Sequence, residues 1–140
     1  MEIRTIKGFP DYRIDRKGTI FNKNMKKLKF FQRSKKQRDV KGGDHYFIKL
    51  RKDGKRYTKS VHALVLETFG GRKPKRAIAR HKNDLATDNR LENLKWGTYK
   101  QNVRDCRKNY KMYKSFYIFA QSKFPKILKE FNSRTGFTTF

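Results

Sequence analysis

Between residues 45 and 69 the apolar period changes from two to that of a helix. This change constrains the fold more than any other feature. HYFIKLRKDGKRYTKSV, residues 45–61, puts Tyr46, Ile48 and Leu50 at alternate positions, then Asp53-Gly54, then Tyr57 and Val61. An Asp-Gly pair between alternating runs predicts a β-hairpin, because both turn residues must take positive φ. VHALVLETF, residues 61–69, follows at once with Ala63, Leu64, Val65, Leu66 and Phe69. That spacing predicts a short buried helix, stopped by Gly70-Gly71. The hairpin face opposite the apolar one is expected to carry Lys49, Arg51, Lys55 and Lys59. Such a ribbon can lie on a phosphate backbone or enter a groove.

The segments on either side are read in the same way. FPDYRIDRKGTIFN, residues 9–22, predicts two short strands with Tyr12, Ile14, Ile20 and Phe21 inward and a turn at Lys17-Gly18. Residues 22–42 hold nine Lys/Arg and one Asp, interrupted by Leu28 and Phe30-Phe31. This predicts a basic hairpin or loop with an apolar anchor, although a charge run can equally be a solvated face. A short strand is expected from Lys75 to Ala79, running on to Arg80-His81, and another from Leu94 to Gly97. Thr98 and Gln101 have capping-box spacing for a helix. Tyr99, Val103, Cys106 and Tyr110 recur on one face of that helix, so Cys106 is expected to be buried and inert. A last helical segment is expected around Phe124–Phe131.

Charge limits the partners. The 140 residues include 38 Lys and Arg against 12 Asp and Glu, a formal net charge of +26. A surface of that kind repels itself, so an anionic partner is expected. Nucleic acid comes first, because each phosphate contact releases condensed counterions. A membrane surface is not expected, since the charge is spread along the chain and no basic amphipathic helix of useful length is visible. MEIRTIKGFPDY does not read as a signal peptide, and no apolar run has transmembrane length. With one cysteine there is no intrachain disulfide, which fits a reducing, cytoplasmic setting. The twelve Phe, seven Tyr and one Trp can fill a small core, or some can stack on bases.

RHKNDLATDNRLENLKWGTYKQN, residues 80–102, is the chemically dense stretch. It holds one His, four Asn, three carboxylates and the only Trp. A catalytic pocket, a polar turn under a core Trp96 and an incidental loop all remain open on composition alone. The expected order is strand, polar loop, strand, helix. His81 ends the first strand, Asn93 ends the loop and Asn102 lies in the first turns of the helix. Asparagine suits a helix interior poorly, and an amide oxygen aimed at a hard cation would give it a reason. Asn83 and Asn89 are read as turn residues. His62 is read as structural or as a phosphate contact, and His45 has no supporting context.

"VHALVLETF … RHKNDLATDNRLENLKWGTYKQN" resembles the HNH endonuclease family, in particular its phage- and intron-type homing members. Their pattern is a VHRLV-type helix, a histidine with an Asp- or Asn-bearing loop, an Asn-Leu and Trp, and a Thr-x-x-x-Asn helix. "DYRIDRKGTI" and "KDGKRYTKSVH" are similar to the small NUMOD4-like module that often precedes it. The resemblance covers about residues 9–109. It implies an α+β fold: a small antiparallel β-hairpin N-terminal module, a ββα-metal motif and a short helical tail. The corresponding boundaries are residues 1–60, 61–110 and 111–140.

The resemblance also implies roles. His81 matches the general base, Asn93 the residue that holds the loop and orients that histidine, and Asn102 a metal ligand. One Mg²⁺ or Mn²⁺ ion would stabilise charge on the scissile phosphate. Many members have an acidic ligand just before the histidine, where this chain has Arg80. Asp84 or waters would then complete the metal shell, or Arg80 would grip a phosphate. The expected substrate is double-stranded DNA, met by a monomer. Arg90, Lys100 and Arg104 would lie near the scissile bond, with Lys26, Lys27, Lys29, Lys35, Lys36, Lys49, Arg51 and Lys59 on the outer phosphates. The alternative is a non-catalytic binder of RNA or a nucleoprotein on a degenerate scaffold.

Overall fold

The computed structural model describes residues 1–33, 45–126 and 129. Lys35 and Lys36, and most of the helix expected around residues 124–131, fall outside this set. The described chain forms two compact units, Met1–Asn102 and Val103–Phe140.

The first unit opens with strands β1 (Ile3–Ile6), β2 (Phe9–Asp15) and β3 (Ile20–Asn22), which form an antiparallel sheet in the order β1-β2-β3. β1 is an addition to the sequence reading. Only Ile3 and Ile6 mark it, and its pairing to β2 is interrupted by a register shift between Thr5 and Ile6. The β2–β3 turn is fastened by Asp15, which is buried. Its Oδ1 accepts the backbone N–H groups of Lys17 at 2.9 Å and Thr19 at 2.8 Å. A short carboxylate satisfies the turn's orphan donors in this way.

β4 (Phe47–Lys52) and β5 (Lys55–Ser60) form the expected hairpin, with Asp53 at φ 49° and Gly54 at φ 75°. Ile48 and Leu50 are buried, while Lys49 and Arg51 are exposed. The expected grouping of the basic residues needs correction. The register pairs Ile48 with Lys59, Leu50 with Tyr57 and Lys52 with Lys55. Directly paired residues share a face, and a two-residue turn pairs even positions of one strand with odd positions of the other. Lys55 and Lys59 therefore share the face of Ile48 and Leu50. Arg56, not they, stands with Lys49 and Arg51.

Helix α1 (Val61–Phe69) follows without a break, and buries Val61, Leu64, Val65 and Leu66. These residues join Ile6, Phe9, Ile14, Ile20, Ile48, Leu50 and Leu94 in one core. That core draws on both sides of residue 60. Tyr12 ties β2 to β4 by accepting the Arg51 backbone N–H at 3.0 Å. Trp96 is partly buried against the core.

β6 (Ile78–His81) pairs antiparallel with β7 (Leu94–Gly97), and a single 3₁₀ turn, Leu91–Asn93, precedes β7. Helix α2 (Tyr99–Lys123) then starts with the predicted reciprocal cap. The Gln101 N–H donates to Thr98 Oγ1 at 3.1 Å, and the Thr98 N–H to Gln101 Oε1 at 2.8 Å. The apolar face expected along α2 does not form: Tyr99, Cys106 and Tyr110 are exposed. From Tyr99 to Tyr110 charged and amide side chains flank the few apolar ones, so no stripe there is wide enough to bury. No helix among the described residues is long and apolar enough to cross a membrane.

Candidate active site

The loop between β6 and β7 is held by asparagines because an amide both donates and accepts. Asn93 is its hub. Asn93 Nδ2 donates to Asn83 Oδ1 and to the Asp88 carbonyl, both at 2.9 Å, and Asn93 Oδ1 accepts the Asn83 N–H at 3.2 Å. The Lys82 N–H donates to the Asn93 carbonyl at 2.7 Å, directly after His81. Arg90 grips both oxygens of Asp88, at 2.8 and 2.9 Å, and Asn83 Nδ2 donates to Asp88 at 3.0 Å. These hydrogen bonds, the Arg90 pair first, hold the Asp88 carboxyl down to about 2. The positive φ of the loop belongs to Asp84, at 56°, rather than to an asparagine.

The side-chain hydrogen bond to His81 comes from Asn89, which is buried: His81 Nε2 lies 2.9 Å from Asn89 Oδ1. A carbonyl oxygen only accepts, so the proton sits on Nε2 and the Nδ1 lone pair of the neutral imidazole is left for other use. Asn89 is itself backed by the β2–β3 turn. A Cβ on Gly18, at φ 88°, would stand 3.1 Å from Asn89 Cβ and 3.2 Å from its carbonyl. The Leu91 N–H donates to the Arg16 carbonyl at 2.9 Å, fixing the same junction. The N-terminal sheet therefore positions the histidine through a single asparagine.

His81 opens onto a pocket of about 360 Å³ that Asn102 also lines. His81 and Asn102 thus line one pocket, and Asn93 is not among its lining residues. His62, read from the sequence as structural or as a phosphate contact, and His45, which had no supporting context, also line it. Ring centroids are 4.7 Å apart for His45–His62, 4.9 Å for His62–His81 and 5.3 Å for His45–His81. The Val61 N–H donates to the Tyr46 carbonyl at 3.0 Å, which brings the neighbours His45 and His62 side by side. Burial, and then the nearness of the other two imidazoles, pushes His62 down to about 3. It is neutral at physiological pH. The convergence of the three had no sequence signal, since they lie far apart in the chain.

Of the donors expected for Mg²⁺ or Mn²⁺, Asn102 lines the pocket. Asp84 is not among the residues lining the pocket. Arg80, at the place of the family's acidic ligand, is buried. Its guanidinium lies across Gly97, where a Cβ would collide with Nε and stand 2.5 Å from Cζ. What remains is the Asn102 amide, the Glu67 carboxylate and three imidazoles. Mg²⁺ demands an octahedron of oxygens, and Mn²⁺ also favours oxygen donors. Asn102 and Glu67 are the oxygen donors of the set, and Mg²⁺ commonly takes one or two carboxylates and fills the rest of its shell with waters and substrate phosphates.

The expected phosphate contacts divide similarly. Lys26, Lys27, Lys29, Lys49, Arg51, Lys59, Lys100 and Arg104 are exposed. Lys49 lies over the Phe31 ring at 5.3 Å and Lys59 over Phe9 at 5.8 Å. Arg90 is exposed too, with its guanidinium engaged by Asp88.

An HNH endonuclease family profile matches residues 59–104, from the end of β5 into α2. Two uncharacterized HNH endonucleases of Acanthamoeba polyphaga mimivirus are each 33% identical to the chain. The first match runs over 135 residues, 93% of this chain and 32% of the relative. The second runs over 102 residues, 72% and 28%. The chain thus spans about a third of the length of these curated relatives. A solved structure concerned with DNA binding and cleavage by the HNH homing endonuclease I-HmuI is similar with a TM-score of 0.65 and 31% identity. That likeness covers 78% of this chain and 60% of the other. With the profile spanning His81, Asn93 and Asn102, and the strand pair and helix that carry them in place, this chain belongs to the HNH endonuclease family.

Proposed function

We propose that this chain is a DNA endonuclease that hydrolyses phosphodiester bonds with His81 as general base. The observation that carries this reading is the imidazole fixed by Asn89 in a pocket shared with Asn102. His81 Nδ1 takes a proton from water, the water oxygen attacks phosphorus, the bond to the 3′-oxygen breaks, and that oxygen takes a proton from solvent to leave as a hydroxyl. Imidazole is the side chain suited to proton transfer near neutral pH. Asn102 holds the phosphate or its water from the helix side, and Asn93 keeps the loop in shape.

Double-stranded DNA is the proposed partner, met by a monomer. The β4–β5 hairpin supports this. Arg51 stands directly opposite Arg56, and Lys52 opposite Lys55. Like charges across a ladder cost stability, and a bound phosphate backbone removes the cost. Lys49 shares the face of Arg51 and Arg56 and extends the contact there, while Lys26, Lys27, Lys29, Lys59, Lys100 and Arg104 are further candidate phosphate contacts. Residues 1–60 act as the binding module, residues 61–110 as the nuclease motif and residues 111–140 as a basic tail.

A second reading is a non-catalytic binder of nucleic acid, RNA and nucleoprotein included. Arg80 favours it, since the family's acidic ligand is missing there. HNH nucleases generally use a divalent ion, so a supercoiled-plasmid assay with Mg²⁺, Mn²⁺, Zn²⁺ and chelator separates the two. Ion-dependent nicking supports the endonuclease. Tight DNA binding with no nicking under any ion supports the binder.

A further inference from the structure

All three histidines of the chain converge. One precedes β4, one lies in the first turn of α1 and one ends β6. Each offers a ring nitrogen, and these atoms all lie within 4.8 Å of one another. Core packing does not ask for this, because apolar side chains would fill the space without desolvating ring nitrogens. His62 Nδ1 is buried and finds no hydrogen-bond partner among the described residues. A buried polar atom left this way calls for an explanation, such as an ion or water it would bind.

We propose that His45, His62 and His81 form a three-imidazole site for a borderline transition-metal ion of the Zn²⁺ or Co²⁺ class. The donor chemistry selects the ion: imidazole suits Zn²⁺, Co²⁺ or Ni²⁺, not Mg²⁺. Three nitrogens at about 2.05 Å from a tetrahedral ion stand about 3.4 Å from each other. The ring nitrogens lie within 4.8 Å of one another and would close to that spacing around an ion by rotation of the rings. Asn89 supplies the outer support, since a ligating histidine commonly gives its other N–H to a fixed acceptor. The fourth position opens on the pocket that holds Asn102 and Glu67. His81 Nδ1 is also the nitrogen assigned to the water's proton, and one lone pair serves one use at a time. Only that last consequence rests on the endonuclease reading.

Co²⁺ reads the site without reference to cleavage. Untagged full-length protein in a Cys106→Ser background, which removes the one thiol, is titrated with Co²⁺ and followed by visible absorption. The expected result is one ion per chain with tetrahedral d–d bands that Zn²⁺ displaces. His45→Ala and His62→Ala each weaken binding by roughly tenfold or more, with the circular dichroism spectrum checked for an intact fold. A parent protein without the bands, or folded variants of both kinds that keep them, overturns the proposal. Nicking by the same preparations reports separately on hydrolysis, because both variants keep His81.

Discussion

His81 Nε2 donates to Asn89 Oδ1 across 2.9 Å, and both residues are buried. The bond sets the tautomer of the imidazole and stops the ring from turning. Asn89→Ala removes the acceptor and leaves a buried N–H unpaired, at a cost of about 1–3 kcal/mol. We expect cleavage to fall roughly 10–100-fold, the usual range for a lost orienting partner. Asn89→Asp keeps an acceptor and should lose less. Single-turnover nicking rates rank the three proteins, and equal loss in both variants contradicts the orienting role.

Gly18 and Gly54 separate backbone strain from transmitted displacement. Both have positive φ, 88° and 75°, but a Cβ at Gly54 meets nothing within 4 Å while one at Gly18 meets Asn89. Alanine at either position pays about 1–2 kcal/mol for the left-handed backbone. Urea denaturation should show a loss in both, larger for Gly18→Ala. Only Gly18→Ala should also slow cleavage, through Asn89.

Arg56 gives a prediction of two signs. It faces Arg51 across the hairpin, so Arg56→Gln should raise the urea midpoint at low salt. The gain should vanish near 1 M salt, where screening acts within about 3 Å. The same variant should bind DNA more weakly. Its slope of log K against log salt should shrink by about 0.9 if one phosphate contact is lost.

The loop carries its own pH dependence. Bonds from Arg90 and Asn83 lower the Asp88 carboxyl from 3.8 to about 2. A depressed pKa means stability present above the unfolded value and lost as pH falls through the folded one. The contribution is therefore complete above about pH 4 and disappears towards pH 2. Asp88→Asn should flatten the stability profile in that window, as read by thermal melts at stepped pH.

Much of the fold was legible because local rules and tertiary packing agreed. The Asp53-Gly54 turn, the Gly70-Gly71 stop and the Thr98–Gln101 cap each depend on neighbouring residues alone. The face of Lys59 was misread because register across a two-residue turn changes parity. Cys106 was expected inside from a helical stripe too narrow to bury. At the site, His81 and Asn102 were marked by spacing and do share a pocket. Asn89 looked like a turn residue, since nothing local shows that its amide faces His81. His45 and His62 meet through the Val61 to Tyr46 hydrogen bond, a long-range contact no short motif records.

The most direct test of the account separates cleavage from binding in one variant. Wild-type protein and His81→Ala are compared on the same supercoiled plasmid, with divalent ion and with chelator, beside a gel-shift titration. The account predicts ion-dependent nicking by the wild type, loss of it in His81→Ala, and DNA affinity nearly unchanged. Nicking at the wild-type rate by His81→Ala would contradict it.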